Sequence, residues 1–273
     1  MTEHVKTALS IAGTDPTGGA GIQADLKTFQ EREVFGMSVI TSVVAQNTLG
    51  VQNVHHLPIS FIEEQLESVF SDIVPNALKS GMIATPGMMQ AVAKKIKAYN
   101  IPYVIDPVMV AKSGDLLMDE QSQKMIRNVL IPLANVVTPN IPEAEVLLDM
   151  KIKTVADAEV AGKIIVDELY ADAAIITGGH FAKEPVDVLY DGENHHHFAE
   201  TFIDTKHTHG TGCTFSAVLT AELAKETPLL EAVDIAKQYI TDAIYYSLEL
   251  GQGNGPTNYW AYRLKSLPNR SGD

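Results

Sequence analysis

The sequence predicts an α/β fold, with a central and mostly parallel sheet, helices on both faces and a small antiparallel excursion. Two observations carry this expectation. Short β-rich runs alternate with longer stretches of helical period, which is the rhythm of βαβ units. Beyond Thr177 that rhythm gives way to two closely spaced strand-like runs, separated by the turn-forming pair Asp191 and Gly192.

Strands are predicted at Ala8 to Ala12, Ser38 to Val44, Ala77 to Ser80, Tyr103 to Asp106, Val136 to Thr138 and Ala174 to Thr177. Helices are predicted between them at Gly21 to Arg32, Ser60 to Asp72, Pro86 to Tyr99, Glu120 to Ile131, Pro142 to Leu148 and Val155 to Leu169. Ser60 with Glu63 reads as a capping box, and Thr85 ahead of Pro86 as an N-cap followed by a first-turn proline. The antiparallel pair is Val186 to Tyr190 with Phe198 to Ile203, and the last helices run over Gly212 to Ala224 and Leu229 to Leu248. No linker, low-complexity tract or repeat divides the chain, so residues 1–273 read as a single domain.

With 45% hydrophobic and 20% charged residues, the chain has a folded protein's composition and enough length to bury a core around a ligand cleft. A formal net charge of −14 with no lysine or arginine cluster argues against nucleic acid as a partner. An anionic substrate is then met by backbone N–H groups and a few lysines. Cys213 is the single cysteine and excludes an intrachain disulfide. No apolar run reaches membrane-spanning length, and Met1 to Thr7 lacks the apolar stretch of a signal peptide, which points to the cytoplasm.

The segment Thr208-His209-Gly210-Thr211-Gly212-Cys213 runs directly into the apolar helical stretch Thr214 to Leu223. Glycines at a helix start let successive N–H groups point at one spot, where the helix dipole also favours negative charge. Such a spot suits the equatorial oxygens of a phosphoryl group in transfer, although a loop ahead of a buried helix has the same pattern. Cys213 in the first turn is either an inert core thiol or a group whose thiolate the dipole favours, able to accept a hydroxyl proton.

Ile11 to Gly21 follows a strand and precedes a helix carrying Asp25, the place where open α/β sheets bind ligands. A structural turn and a solvated Asp25 are the alternative. Gln46 and Asn47 stand at another strand end, and a carboxamide presents an acceptor and two donors in one plane, matching an aminopyrimidine edge or merely capping a loop. Asp106, Asn140 and Glu143 stand at the ends of two further strands, where oxygen ligands suit Mg²⁺ or cap helices. The small polar loop Val110 to Asp115, with Lys112, fits a lid or a surface loop. His195, His196 and His197 read as a solvated hairpin tip, since alternation separates the middle ring and no further ligand stands at metal spacing. His55 and His56 are read likewise as solvated.

Taken together, the blocks I-A-G-T-D-P-T-G-G-A-G-I-Q-A-D-L-K-T-F, V-A-Q-N-T-L-G-V, K-S-G-M, D-P-V-M-V-A-K-S-G-D, T-P-N-x-P-E-A, G-G-H and T-H-G-T-G-C-T-F-S-A resemble the bacterial hydroxymethylpyrimidine/phosphomethylpyrimidine kinases over residues 6 to 262. The resemblance implies a ribokinase-like fold and Mg·ATP-dependent phosphorylation of 4-amino-5-hydroxymethyl-2-methylpyrimidine and of its monophosphate, a step of thiamin biosynthesis. It implies a pyrimidine lying near Gly13, Asp25, Val44, Gln46 and Met82, with ATP phosphates facing Gly210, Thr211, Gly212 and Cys213. Asp106, Lys112, Asn140, Thr177 and Lys237 fall on the nucleotide side, and Asn140 and Glu143 near the metal. Many sugar kinases of this superfamily carry an aspartate base where this chain has Cys213. Many relatives carry a lysine before the Gly-Gly-His step, where this chain has Thr177, and Lys237 is then the candidate to supply the missing charge.

By analogy with such relatives, a homodimer is expected. A pyridoxal kinase and a catalytically silent nucleotide-binding protein on the same scaffold remain the rival readings. The Gln46-Asn47-Thr48 step favours the pyrimidine over pyridoxal, and the anion-hole glycines stand against a silent protein.

Overall fold

A computed structural model describes residues 5–109, 118–181 and 184–266. The chain runs through β1 (Thr7–Gly13), α1 (Gly21–Glu31), β2 (Phe35–Asn47), β3 (Gly50–His56), α2 (Ile59–Phe70), β4 (Ala77–Ser80), α3 (Pro86–Tyr99) and β5 (Tyr103–Ile105). It continues through α4 (Glu120–Met125), β6 (Val136–Val137), α5 (Ile141–Leu148), α6 (Val155–Asp167), β7 (Ala173–Phe181), β8 (Glu184–Tyr190), β9 (His195–Ala199), α7 (Thr211–Ala224), α8 (Leu229–Tyr245) and α9 (Ala261–Ser266).

All nine of these strands form one sheet in the order β3-β2-β1-β4-β5-β6-β7-β8-β9. Pairing is parallel from β2 to β7 and antiparallel at both edges, where β3 joins β2 and β8 and β9 join β7. Alternate residues serve opposite faces, as strand geometry requires. Leu9, Ile11, Leu78, Tyr103, Ile105 and Val137 pack under α2, α3, α5 and α6. Ala8, Ala77, Val104 and Val136 pack under α1, α7 and α8. Chain order reverses at β1, since β2 lies on one side of it and β4 on the other, which opens a crevice at the carboxyl ends of the strands.

The expected α/β class, with its mostly parallel sheet, is the one found. Several boundaries differ for identifiable reasons. β2 extends past both predicted ends, because it continues into an antiparallel ladder with β3, a strand the sequence does not announce. β3 is largely exposed and polar, so it offers no apolar alternation to read. The second strand of the excursion is His195–Ala199 rather than Phe198 to Ile203. The three histidines therefore lie on a strand, not at a hairpin tip, with His196 Nε2 2.7 Å from Asp191 and His197 Nε2 2.8 Å from Glu159. Thr85 caps α3 as expected, accepting from the Met88 N–H, whereas α2 starts at Ile59 behind Pro58 and the Ser60 capping box does not form. The predicted helix from Glu120 holds, but beyond Met125 it widens into a π turn over Ile126–Leu130 and then a 3₁₀ turn over Ile131–Leu133.

Candidate active site

A cleft of about 550 Å³ crosses the carboxyl ends of the strands from β3 to β6. It is lined by Gly13, Asp25, Val44, Gln46, Met82, Asp106, Asn140, Glu143, Gly210, Thr211, Gly212 and Cys213, so twelve sequence-predicted residues meet in one place.

The phosphate end is built by the start of α7. Gly210 adopts φ +79°, and a Cβ there would lie 1.8 Å from the Gly19 carbonyl oxygen, so only glycine lets these two loops touch. No side chain caps α7, and the N–H groups of Gly212 and Cys213 have no acceptor among the described residues. Those donors and the dipole form an anion hole. Asp106, at the end of β5, lies alongside: a Cβ on Gly212 would be 3.6 Å from its Oδ2.

Beneath the hole is a buried charge pair that sequence reasoning missed. Lys79 on β4 faces α1 and α7, and its Nζ lies 2.7 Å from Asp25 Oδ1 and 3.1 Å from the Cys213 carbonyl oxygen. Both side chains are wholly buried, and Ser10 donates to Asp25 Oδ2 at 2.5 Å. Burial opposes the ammonium charge, but Asp25, Cys213 and Asp106 outweigh it and hold the Lys79 pKa above its ordinary value. Asp25 is thus neither solvated nor free: it lines the cleft with both oxygens committed. The K-S-G-M block contained the available signal, a lysine inside a predicted strand.

Burial pushes the Asp106 carboxyl up to about 6, with Lys79 opposing and Asp25 adding to the rise. Burial, then repulsion from Asp106, also raises Glu143 well above the ordinary range. Asn140 and Glu143 form the capping box of α5, with Asn140 Oδ1 accepting from the Glu143 N–H at 2.9 Å and Glu143 Oε2 from the Asn140 N–H at 3.0 Å. The two residues expected near a metal therefore do spend part of their oxygen capacity on a helix start. Among the described residues no cluster of three His, Cys, Asp or Glu side chains stands at metal-binding spacing.

The expectation of a thiolate at Cys213 is corrected. Burial pushes its thiol up to about 12, and Lys79 offsets only part of this, with Asp106 and Asp25 acting against the charge. The helix terminus does not overcome the loss of water.

The opposite end of the cleft is apolar, formed by Val44, Val51, Val54 and Met82. The Met82 methyl lies over Gly13, where a Cβ would come within 2.6 Å of it. Thr14 ties the loop after β1 to β2, receiving the Val44 N–H on Oγ1 at 3.1 Å and donating its own N–H to Ser42 at 2.9 Å. Gln46 follows a bulge in β2 and is half-buried, and its carboxamide has no hydrogen bond to a described residue. Asn47 instead serves the hairpin, accepting from the Leu49 N–H at 2.9 Å.

Thr177 and Lys237 do not line this cleft. Thr177 donates its N–H to the Pro139 carbonyl at 2.9 Å and bridges Asn140 in parallel. Lys237 Nζ lies 2.8 Å from Asp187 Oδ2, and Asp187 Oδ1 also accepts from the Gly178 N–H, so its charge is already paired rather than free. Lys112 lies outside the described residues. His209 and Asp15 were not singled out from sequence, yet His209 lines the cleft with Nε2 2.8 Å from Asp15 Oδ2. Burial alone would raise Asp15, but hydrogen bonds from His209 and Thr17 hold it at about 2.

Residues 15–258 match the family model described as phosphomethylpyrimidine kinase. A hydroxymethylpyrimidine/phosphomethylpyrimidine kinase of Staphylococcus aureus strain Mu50 is 51% identical over 263 residues, covering 95% of each chain. The ADP complex of Bacillus subtilis pyridoxal kinase superposes with a TM-score of 0.90 at 44% identity, covering 96% of this chain and 100% of that one. The phosphomethylpyrimidine kinase of Clostridium difficile 630 gives a TM-score of 0.79 at 41% identity, covering 88% and 99%. A family match running from the loop after β1 to the segment beyond α8, with half the residues shared along nearly the whole length of a relative, places this kinase chain in the phosphomethylpyrimidine kinase family, to which it belongs.

Proposed function

We propose that the chain transfers the γ-phosphoryl group of ATP to the hydroxymethyl oxygen of 4-amino-5-hydroxymethyl-2-methylpyrimidine, and then phosphorylates the resulting monophosphate. The observation that carries this reading is the shape of one cleft: an uncapped anion hole at one end and, among apolar side chains at the other, the Gln46 carboxamide, unpaired among the described residues. An amide in that setting pairs with an exocyclic amine beside a ring nitrogen, and Val44, Val51 and Met82 pack the ring faces.

The N–H groups of Gly212 and Cys213 hold the oxygens of the transferring group, so the charge that shifts during transfer meets fixed donors. Lys79 stands beneath them as a buried positive charge that also fixes the Cys213 carbonyl. The donor set fits a divalent cation, since Asp106 and Glu143 are two buried, mutually repelling carboxylates whose raised pKa values a cation would reverse. Asp106 and Glu143, with Asn140 beside them, would hold Mg²⁺, and it would supply positive charge against the phosphates. Cys213 faces the acceptor as a neutral thiol and relays the proton late in the transfer, passing its own S–H proton to an oxygen of the transferred phosphoryl group as it receives the hydroxyl proton. Thr177 and Lys237, which lie outside the cleft, are assigned to the outer part of the nucleotide.

Similarity to the Bacillus subtilis pyridoxal kinase supports a second reading, phosphorylation of pyridoxal in the same cleft. Phosphorus NMR of the purified chain with Mg·ATP and the pyrimidine alcohol tests the first. The monophosphate should accumulate and then convert to the diphosphate, and absence of both products with folded protein would overturn the assignment.

A further inference from the structure

Resting on that reading, we propose that His209 recognises the phosphate of the monophosphorylated acceptor and so sets the balance between the two acceptors. The cleft must hold a phosphate dianion in the second reaction, yet among the described residues lining it there is no lysine or arginine. The carboxylates Asp25, Asp106 and Glu143 line it instead, and Lys79 below is spent on Asp25 and the Cys213 carbonyl. His209 is the lining side chain among those described that can carry positive charge.

Its placement is fixed from three sides. The backbone N–H of His209 donates to the Gly255 carbonyl at 3.1 Å, Nε2 lies 2.8 Å from Asp15 Oδ2, and a Cβ on Gly19 would come 2.6 Å from Cδ2. Asp15 is itself buried and anchored by the Thr17 N–H and hydroxyl at 2.9 and 2.8 Å and the Gly19 N–H at 3.2 Å. That leaves the other ring edge. Nδ1 has no hydrogen bond to a described residue and is not sealed from solvent, and the side chain is 20% exposed, immediately before Gly210 of the anion hole.

A phosphate on the acceptor brings a second anion to a ring that already faces Asp15. With one anion on each edge, both ring nitrogens have an acceptor to donate to, Nε2–H to Asp15 and Nδ1–H to a phosphate oxygen. The second proton comes from solvent, and no covalent bond changes. The free alcohol presents no charge at this point, so it gains nothing from the contact.

Steady-state kinetics of the full chain with both acceptors at saturating Mg·ATP test the proposal. His209→Gln keeps a donor for Asp15 and removes the cation, and it should raise KM for the monophosphate at least about tenfold more than KM for the alcohol. His209→Lys restores a cation and should bring that ratio back toward the parental value. Equal factors on both acceptors, or a fall in kcat alone, overturn it. If the variants do not fold, the parental chain decides: with ¹⁵N-labelled histidine, the monophosphate but not the alcohol should shift the His209 ring resonance, assigned through Thr208 and Gly210. The same shift from both compounds, or none, overturns the proposal. A parental chain that phosphorylates neither acceptor removes the kinase reading and the proposal together.

Discussion

Lys79 Nζ lies 2.7 Å from Asp25 Oδ1 in the interface between the sheet and helices α1 and α7, where neither side chain meets solvent. A pair of this kind is weak evidence of net stabilisation, because desolvating two charges cancels most of their attraction. Breaking it is another matter.

Lys79→Met leaves the Asp25 carboxylate uncompensated and should destabilise the chain by ~3–5 kcal/mol in urea denaturation. Removing both charges in Lys79→Met/Asp25→Leu should recover a large part of that loss. A single variant within about 1 kcal/mol of the parent would show that the pair is not the buried ion pair described.

Gln46→Leu should weaken pyrimidine binding by ~1–3 kcal/mol, read by calorimetric titration, while leaving ATP affinity nearly intact. The ligand's polar edge then has no partner in an apolar pocket. Unchanged pyrimidine affinity in a folded variant would remove Gln46 from the site.

Cys213→Ala removes the proton relay and so separates the two transfers. The alcohol must lose a proton, and positioned proton transfer contributes ~10²–10⁴-fold, so kcat for the alcohol should fall within that range. The monophosphate dianion has no proton to lose, and its turnover should fall far less. Equal losses for both acceptors would show that the thiol shapes the anion hole rather than taking a proton.

Asp15 has a folded-state pKa of about 2, below the ordinary carboxylate value. A depressed carboxylate contributes stability above its unfolded pKa, lost as pH falls through the folded value, so the contribution of about 2 kcal/mol should fade between pH ~4 and pH ~2. Denaturation of parent and Asp15→Asn across that range should converge toward low pH. Parallel stability curves would show that Asp15 is not charged in the folded state.

Much of this site was legible in the sequence. Gly210 to Cys213 and the loop after β1 were readable because glycine placement reports backbone conformation directly, and the strand ends near Asp106 and Thr138 followed from short apolar runs, whereas β2 runs past the predicted Val44 to Asn47. What stayed hidden depended on neighbours distant in the chain. Lys79 draws no separate notice until β4 is seen at the centre of the sheet facing Asp25. The choice between an inert and an activated Cys213 thiol stays open until its burial and the carboxylates around it are placed, and Lys237 reads as available until Asp187 is found beside it. His209 gains meaning only from Asp15, which lies 194 positions away in the chain.

The most direct test of the central claim measures kcat/KM for the pyrimidine alcohol and for pyridoxal, side by side, with the same protein and saturating Mg·ATP. The account predicts preference for the pyrimidine by at least about tenfold, consistent with one buried amide contact favouring it, and collapse of that preference in Gln46→Leu. Preference for pyridoxal in the parental chain, or a ratio that Gln46→Leu leaves unchanged, would contradict it.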